Sequence, residues 1–182
     1  MYKACIFDLD GTLTDTLESL TYSVNETLKE LKLKKITQEQ CRSFVGNGAR
    51  CLIERALVAG GDLEKSQMEP AMEIYGRIFG ENCTYHVTPY DGIAEMLEQL
   101  KKSGIKLAVL SNKPHLQAVD VVKEFFRGKM FFSYVQGQID SVPRKPDPSA
   151  ALMIAEKLDV KKKNVCTSEI LKWILRRGMQ RV

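Results

Sequence analysis

The stretch FDLDGTLTDT, residues 7–16, decides the fold, and it closes a short apolar run. An apolar run that meets acidic residues and then a glycine is typical of a buried parallel strand ending in a loop. Asp8 and Asp10 lie at the carboxyl end of this strand, where open α/β sheets bind their ligands. The turn at Gly11 lets both carboxylates converge on one cation, with Thr12 beside them. A solvated Asp–Gly turn is the alternative.

A block of helices is predicted after this strand. From Thr16 to about Leu33, leucines and a valine recur at helical spacing, which predicts an amphipathic helix. A capping box at Thr37 and Gln40 and the glycines that follow mark three further helices. They are predicted to run from the capping box to near Gly46, from Ala49 to Ala59 and from Leu63 to Phe79. Residues 16–85 show no strand pattern.

Strands and helices alternate after Pro89. The predicted helices are Ile93 to about Gly104, Leu116 to Phe126 and Ser149 to Leu158, and the predicted strands are residues 106–110, 134–137 and 164–166. This alternation predicts an α/β protein with a parallel, Rossmann-like sheet flanked by helices. We therefore expect residues 1–15 and 86–182 to form this core, with residues 16–85 as an all-helical insert.

Polar groups follow two other segments of the predicted core. Ser111 and Asn112 come directly after the strand at 106–110, so a hydroxyl and an amide can donate hydrogen bonds to a phosphate at the sheet edge. A helix N-cap is the alternative for this pair. Lys145 lies in the proline-flanked loop RKPDP, where its ammonium can neutralise phosphate charge. An isolated surface lysine is the alternative there.

Taken together, these segments resemble the haloacid dehalogenase phosphatases. FDLDGTLTDT resembles the first motif of that family almost letter for letter, and Ser111 and Lys145 match its second and third motifs in order. The resemblance implies that Asp8 is the nucleophile that forms an aspartyl-phosphate, and that Asp10 is the general acid/base toward the leaving group. It further implies that Thr12 supports the phosphate and that Mg²⁺ is the cofactor, with Asp8 and Asp10 among its ligands.

The helical insert resembles the cap domain of the same family. The segment FVGNGAR, residues 44–50, is similar to the cap loop of the phosphoglycolate-phosphatase-like subgroup, which approaches the active site. Gly46 and Gly48 permit unusual backbone angles, and Arg50 supplies a positive charge suited to a phosphate or carboxylate of the substrate. A plain helix-turn-helix with a solvated arginine is the alternative.

The resemblance covers about residues 2–166 and then ends. The fourth motif of the family is a strand followed by Gly-Asp and a further Asp, which complete the magnesium site. The corresponding residues here read TSEILKWILRRGMQRV, residues 167–182, and Glu169 is the acidic residue among them. We therefore expect Glu169 to be the third candidate metal ligand and magnesium binding to be weak. Because Trp173-Ile174 necessarily contains an out-of-frame Asp codon, a frameshift or small deletion is one explanation.

Composition excludes several classes of protein. Hydrophobic residues make up 44% and charged residues 27% of the chain, which is ordinary for a globular protein. The net charge of +4 arises in residues 161–182, which carry 7 Lys/Arg against 1 Asp/Glu, so we predict no nucleic-acid binding. The 5 cysteines form no C-x-x-C pair, and no apolar segment approaches the length of a membrane span. The N-terminus enters a strand-like run at once, so we expect no signal peptide. We expect a cytoplasmic protein.

Two functions from different classes fit these observations. The first is a magnesium-dependent phosphatase that hydrolyses a small phosphorylated metabolite such as phosphoglycolate. The second is a catalytically impaired pseudo-enzyme that serves as a binding or interaction module. A phosphomutase or a dehalogenase is a further possibility, although Asp10 disfavours a dehalogenase because that reaction has no leaving-group oxygen to protonate.

Overall fold

The structure is a computed structural model that describes residues 1–126 and 131–167. In chain order its elements are β1 (Ala4–Phe7), β2 (Thr14–Asp15), α1 (Leu17–Glu30), α2 (Gln38–Phe44), α3 (Ala49–Gly60), α4 (Met68–Asn82), β3 (Thr88–Pro89), α5 (Ile93–Lys102), β4 (Lys106–Pro114), α6 (His115–Phe126), β5 (Tyr134–Gln138), α7 (Ser149–Lys157), a 3₁₀ turn (Lys162–Asn164) and β6 (Val165–Thr167).

Four parallel strands form the central sheet, in the order β5-β4-β1-β6. Alternate residues of β1 enter different cores because side chains two apart on a strand face the same way. Cys5 and Phe7 pack with α5 and α6 on one face, and Ala4 and Ile6 pack with α7 on the other. The predicted α/β fold with a helix-flanked parallel sheet is therefore confirmed.

Helices α1 to α4 lie between β2 and β3 and pack around a core of their own. Its members include Val24, Leu28, Ile53, Leu57 and Phe79, all of them buried. The chain enters and leaves this helical block through β2 and β3, which pair antiparallel as Thr14–Pro89 and Asp15–Thr88. The sequence analysis missed this two-stranded ladder, because two residues are too few to show a strand pattern. The exact domain boundaries remain a prediction.

The helix starts show where local sequence decides structure. The predicted capping box of α2 is present: the Thr37 side chain accepts a hydrogen bond from the backbone N–H of Gln40, and the Gln40 side chain accepts one from the N–H of Thr37. The predicted start of α4 at Leu63 is wrong, since that helix begins at Met68. Asp62 explains the delay, because its carboxylate accepts hydrogen bonds from the backbone N–H groups of the two residues before α4 (Ser66 and Gln67).

The edge of the described sheet carries a pair of buried thiols. Cys5 on β1 lies opposite Cys166 on β6 in the parallel register, and both are free cysteines. Burial, reinforced by the neighbouring Cys166, raises the pKa of the Cys5 thiol to about 12. Both thiols therefore behave as small apolar side chains in this core.

No helix in residues 1–126 or 131–167 is both long enough and apolar enough to cross a membrane. The predicted ligand Glu169 and the rest of the basic tail lie outside the described residues.

Candidate active site

Asp8 and Lys145 meet at the carboxyl edge of the sheet. Asp8 follows β1 directly, and Lys145 lies in the loop before α7. The Lys145 ammonium is 2.9 Å from Oδ1 of Asp8, which also accepts a hydrogen bond from the N–H of Leu9 at 2.8 Å. Both side chains are partly exposed. The carboxylate is therefore held beside a cation and remains open to a ligand.

Asp10 pairs with a different lysine, which the sequence analysis missed. The Lys113 ammonium lies 3.1 Å from Oδ1 of Asp10 and 4.5 Å from the centroid of the Phe79 ring. The Lys113 side chain is only 1% exposed, against 14% for Asp10. The sequence held one signal for it: Lys113 lies two residues after Ser111, and side chains two apart on a strand face the same way. Both residues belong to β4 in the structure.

A tight turn after β1 sets the spacing of the two aspartates. The Leu9 carbonyl accepts hydrogen bonds from three successive N–H groups, those of Thr12, Leu13 and Thr14. Gly11 has φ +71° in this turn, a conformation that glycine adopts without strain. Thr12 lies in the turn and is not among the residues that line the pocket.

Asn112 joins three segments of the chain. Its amide nitrogen donates to the carbonyl oxygens of Gly46 at 2.9 Å and Lys145 at 3.2 Å, and its amide oxygen accepts from the N–H of Lys145 at 3.0 Å. The predicted phosphate donor is thus engaged with the protein itself. These bonds hold the loop of Lys145 and the loop before α3 against the end of β4. Ser111, its neighbour, is buried and lines the pocket.

The loop before α3 approaches the core through its glycines. A Cβ atom on Gly48, where φ is +88°, would lie 2.9 Å from Nη1 of Arg144, and that guanidinium donates to the carbonyl of Asn47 at 3.0 Å.

The structure does not bring the predicted residue Arg50 to the pocket. Its guanidinium is 2.7 Å from Glu69, and its side chain is 56% exposed, because position 50 starts the outer face of α3.

The resulting pocket has a polar floor and an apolar roof. The floor consists of Asp8, Asp10, Ser111, Asn112, Lys113 and Lys145. The roof is contributed by the helical block and is mostly apolar: Leu20, Val45, Gly46, Gly48, Ala49, Leu52, Tyr75 and Phe79. A small ligand with an anionic end suits such a site, since charged groups converge on one side of a cavity that is otherwise lined by apolar side chains.

The donor set at this floor suits a hard cation. Asp8 and Asp10 offer carboxylate oxygens, the ligands that Mg²⁺ takes in proteins, often one or two at a time together with a substrate phosphate. Within residues 1–126 and 131–167 there is no group of three or more His, Cys, Asp or Glu placed to hold a metal ion. The described residues therefore fit a magnesium site that depends on a bound phosphate for further ligands.

Comparison with known proteins identifies the class to which this fold and pocket belong. The model of the haloacid dehalogenase-like hydrolase family matches residues 5–167, so the chain belongs to that family. Among curated relatives, the phosphoglycolate phosphatase of Pseudomonas syringae pv. tomato is 34% identical over 155 residues, covering 84% of this chain and 56% of its own length. That of Haemophilus influenzae is 34% identical over 170 residues, covering 90% of this chain and 75% of its own.

A solved structure supports the same assignment. The crystal structure of a predicted phosphoglycolate phosphatase from Haemophilus somnus superposes with a TM-score of 0.82 at 29% identity, covering 91% of this chain and 76% of that one. The chain thus resembles these proteins through both its core and its helical block, while it spans little more than half of the Pseudomonas relative.

Proposed function

We propose that this protein is a magnesium-dependent phosphatase that hydrolyses a small phosphate monoester resembling phosphoglycolate. The observation that carries the proposal is the Asp8–Lys145 pair at the carboxyl edge of the sheet, with Asp10 two residues further along the chain. A cation next to a partly exposed carboxylate suits attack on an anionic substrate, because it offsets the repulsion between two negative groups. The names of the relatives agree with this reaction.

In the proposed mechanism, a carboxylate oxygen of Asp8 forms a bond to phosphorus while the bond from phosphorus to the ester oxygen breaks. Asp10 gives a proton to the departing oxygen and later takes one from the water that attacks the aspartyl-phosphate, which releases inorganic phosphate and restores Asp8. Lys145, whose ammonium lies 2.9 Å from Asp8, offsets the charge on the phosphoryl oxygens. Magnesium held by Asp8 and Asp10 would supply further charge neutralisation.

The helical block has the place of a lid in this proposal. Its loop at residues 46–48 reaches the core through the Gly46–Asn112 hydrogen bond, and its apolar side chains roof the pocket. Such a lid excludes water from the aspartyl-phosphate and selects the leaving group. Residues 16–85 would then act as the cap domain, hinged at the β2–β3 ladder.

A pseudo-enzyme remains the second candidate. The observation that favours it is the small number of carboxylates at the floor among residues 1–126 and 131–167, where Asp8 and Asp10 are each paired with a lysine. A fold that keeps the pocket without binding magnesium could still bind a phosphorylated metabolite. In both cases we propose a cytoplasmic protein whose ligand is such a metabolite.

The test is hydrolysis of p-nitrophenyl phosphate in the presence of magnesium. We expect turnover by the wild-type chain and its loss, by at least about a thousandfold, in Asp8→Asn, because the amide cannot attack phosphorus. Beryllium fluoride, a mimic of the aspartyl-phosphate, should inhibit the wild type. Lys123→Met, an exposed position on α6, is the matched control and should retain full activity. Turnover by Asp8→Asn at the wild-type rate would contradict the assignment, and an inactive wild type would favour the pseudo-enzyme.

A further inference from the structure

Lys113 is a buried cation at the junction of the catalytic floor and the helical roof. Its side chain is 1% exposed, its ammonium contacts Asp10 at 3.1 Å, and the Phe79 ring of α4 lies 4.5 Å away. Burying an ammonium carries a large desolvation penalty, so a lysine in this position needs compensating partners. Asp10 and the Phe79 ring supply that compensation.

The two lysines of the pocket are placed for different parts of a ligand. Lys145 lies against Asp8, at the point where the phosphoryl group must bind for in-line attack. Lys113 lies against Asp10, the proposed proton donor to the leaving group, and under the apolar roof. A group that contacts Asp10 and continues toward the roof therefore passes Lys113.

We infer that Lys113 determines substrate specificity by binding an anionic group, a carboxylate, on the leaving-group side of the phosphate ester. This inference rests on the proposed phosphatase function. An ammonium has three donor hydrogens, and Asp10 accepts one of them in this structure, so a carboxylate can be added to the pair. The bond is strengthened by the low dielectric of the surrounding apolar side chains.

Two other cations near the pocket, Arg50 and Arg144, are placed less well for this role. Arg50 is exposed and paired with Glu69. Arg144 is exposed, and its guanidinium is bonded to the carbonyl of Asn47 on the loop before α3. Among the pocket-lining residues in the described part of the chain, the cations are Lys113 and Lys145.

The experiment compares two substrates that differ in one group. 2-Phosphoglycolate carries a carboxylate, and 2-hydroxyethyl phosphate replaces it with a neutral alcohol of similar size. We expect the wild type to favour phosphoglycolate by about 10- to 100-fold in kcat/KM, the range that one buried charge-assisted hydrogen bond provides. In Lys113→Met this ratio should fall to near one, mainly through KM for phosphoglycolate. Lys113→Arg, which keeps the charge, should retain part of the preference.

Controls separate this inference from the proposed function. Lys123→Met should keep the wild-type ratio, and circular dichroism checks that each Lys113 variant is folded. An equal loss on both substrates in Lys113→Met, or a wild type that turns over both equally, would overturn the inference and leave the phosphatase standing. If the chain shows no turnover, calorimetric titration replaces the kinetic test. The ligands are phosphoglycolate, hydroxyethyl phosphate and inorganic phosphate, each with magnesium. Binding of all three with equal affinity overturns the role of Lys113, and binding of none overturns both proposals.

Discussion

At the scale of single residues, the two aspartates of the floor have different surroundings although they are two positions apart. Asp8 is paired with Lys145, which lies on a partly exposed loop, whereas Asp10 is paired with the buried Lys113. A partly exposed pair can be separated by an incoming anion at small cost, while a buried pair resists separation. This difference matches a nucleophile that must be reached and an acid/base that must stay in place.

Arg50 gives a prediction at this scale. Its partner Glu69 lies on the same helical block and both side chains are exposed, so the pair is screened by solvent and contributes little to stability. We expect Arg50→Ala to change KM for 2-phosphoglycolate by less than about twofold, in contrast to Lys113→Met. Steady-state kinetics on the two variants side by side check this. A large rise in KM for Arg50→Ala would show that the guanidinium turns into the pocket when substrate binds.

The site residues fall into two groups, according to whether the order of elements in the sequence determines where they lie. Asp8, Asp10, Ser111 and Lys145 meet because the ends of parallel strands share one edge of the sheet, which follows from the order of elements. The direction of Arg50 depends on which face of α3 packs inward, and the partnership of Lys113 with Asp10 depends on contacts 103 residues apart. Neither is visible in a local pattern.

At the scale of elements, local hydrogen bonds decide where helices begin. The start of α2 was predictable because the two residues of its capping box, Thr37 and Gln40, are close together in sequence. The delayed start of α4 was not predictable from apolar spacing, because Leu63 fits a helical pattern yet is 70% exposed in the turn that Asp62 stabilises. Side-chain competition for backbone N–H groups overrides periodicity at such positions.

The capping box of α2 can be tested by removing its hydroxyl. Thr37→Ala deletes the acceptor for the Gln40 N–H, so we expect the free energy of unfolding to fall by about 1 kcal/mol. Urea denaturation followed by circular dichroism measures this change. Thr37→Ser keeps the hydroxyl and should be close to wild type. A Thr37→Ala variant as stable as wild type would show that water replaces the cap without loss.

At the scale of the whole molecule, the helical block and the α/β core share one pocket while keeping separate apolar cores. Polar links between them beside the pocket include the hydrogen bonds from Asn112 to the carbonyl of Gly46 and from Arg144 to the carbonyl of Asn47. Motion of the block about the β2–β3 ladder would open the roof and break these links, while the Asp8–Lys145 pair lies wholly within the core. Such an arrangement suits an enzyme that must admit substrate and then exclude water.

Magnesium dependence is the prediction that belongs to the molecule as a whole. Asp8 and Asp10 are each held by a lysine, and Glu169 is the acidic side chain among residues 167–182 of the sequence. Few carboxylates and two competing ammonium groups should make free magnesium bind weakly, and phosphate should strengthen its binding by adding oxygen ligands. We expect activation to saturate only at millimolar magnesium, and isothermal titration to show tighter magnesium binding with phosphate present. Full activity at sub-millimolar magnesium would contradict this expectation.

The paired thiols of β1 and β6 allow the opening of the sheet edge to be followed by chemical labelling. Since only the thiolate reacts with iodoacetamide, and the pKa of Cys5 is about 12, roughly one molecule in ten thousand has Cys5 ionised at pH 8 while β6 stays in place. Detachment of β6 would expose Cys5 and Cys166 together and return both to ordinary reactivity. Mass spectrometry should therefore find them alkylated at one common, slow rate, well after the half-buried Cys51. Faster labelling of Cys166 alone would mean that the end of β6 frays by itself. The same measurement with phosphate and magnesium would report whether ligand binding at the pocket stabilises the pairing of β6 with β1.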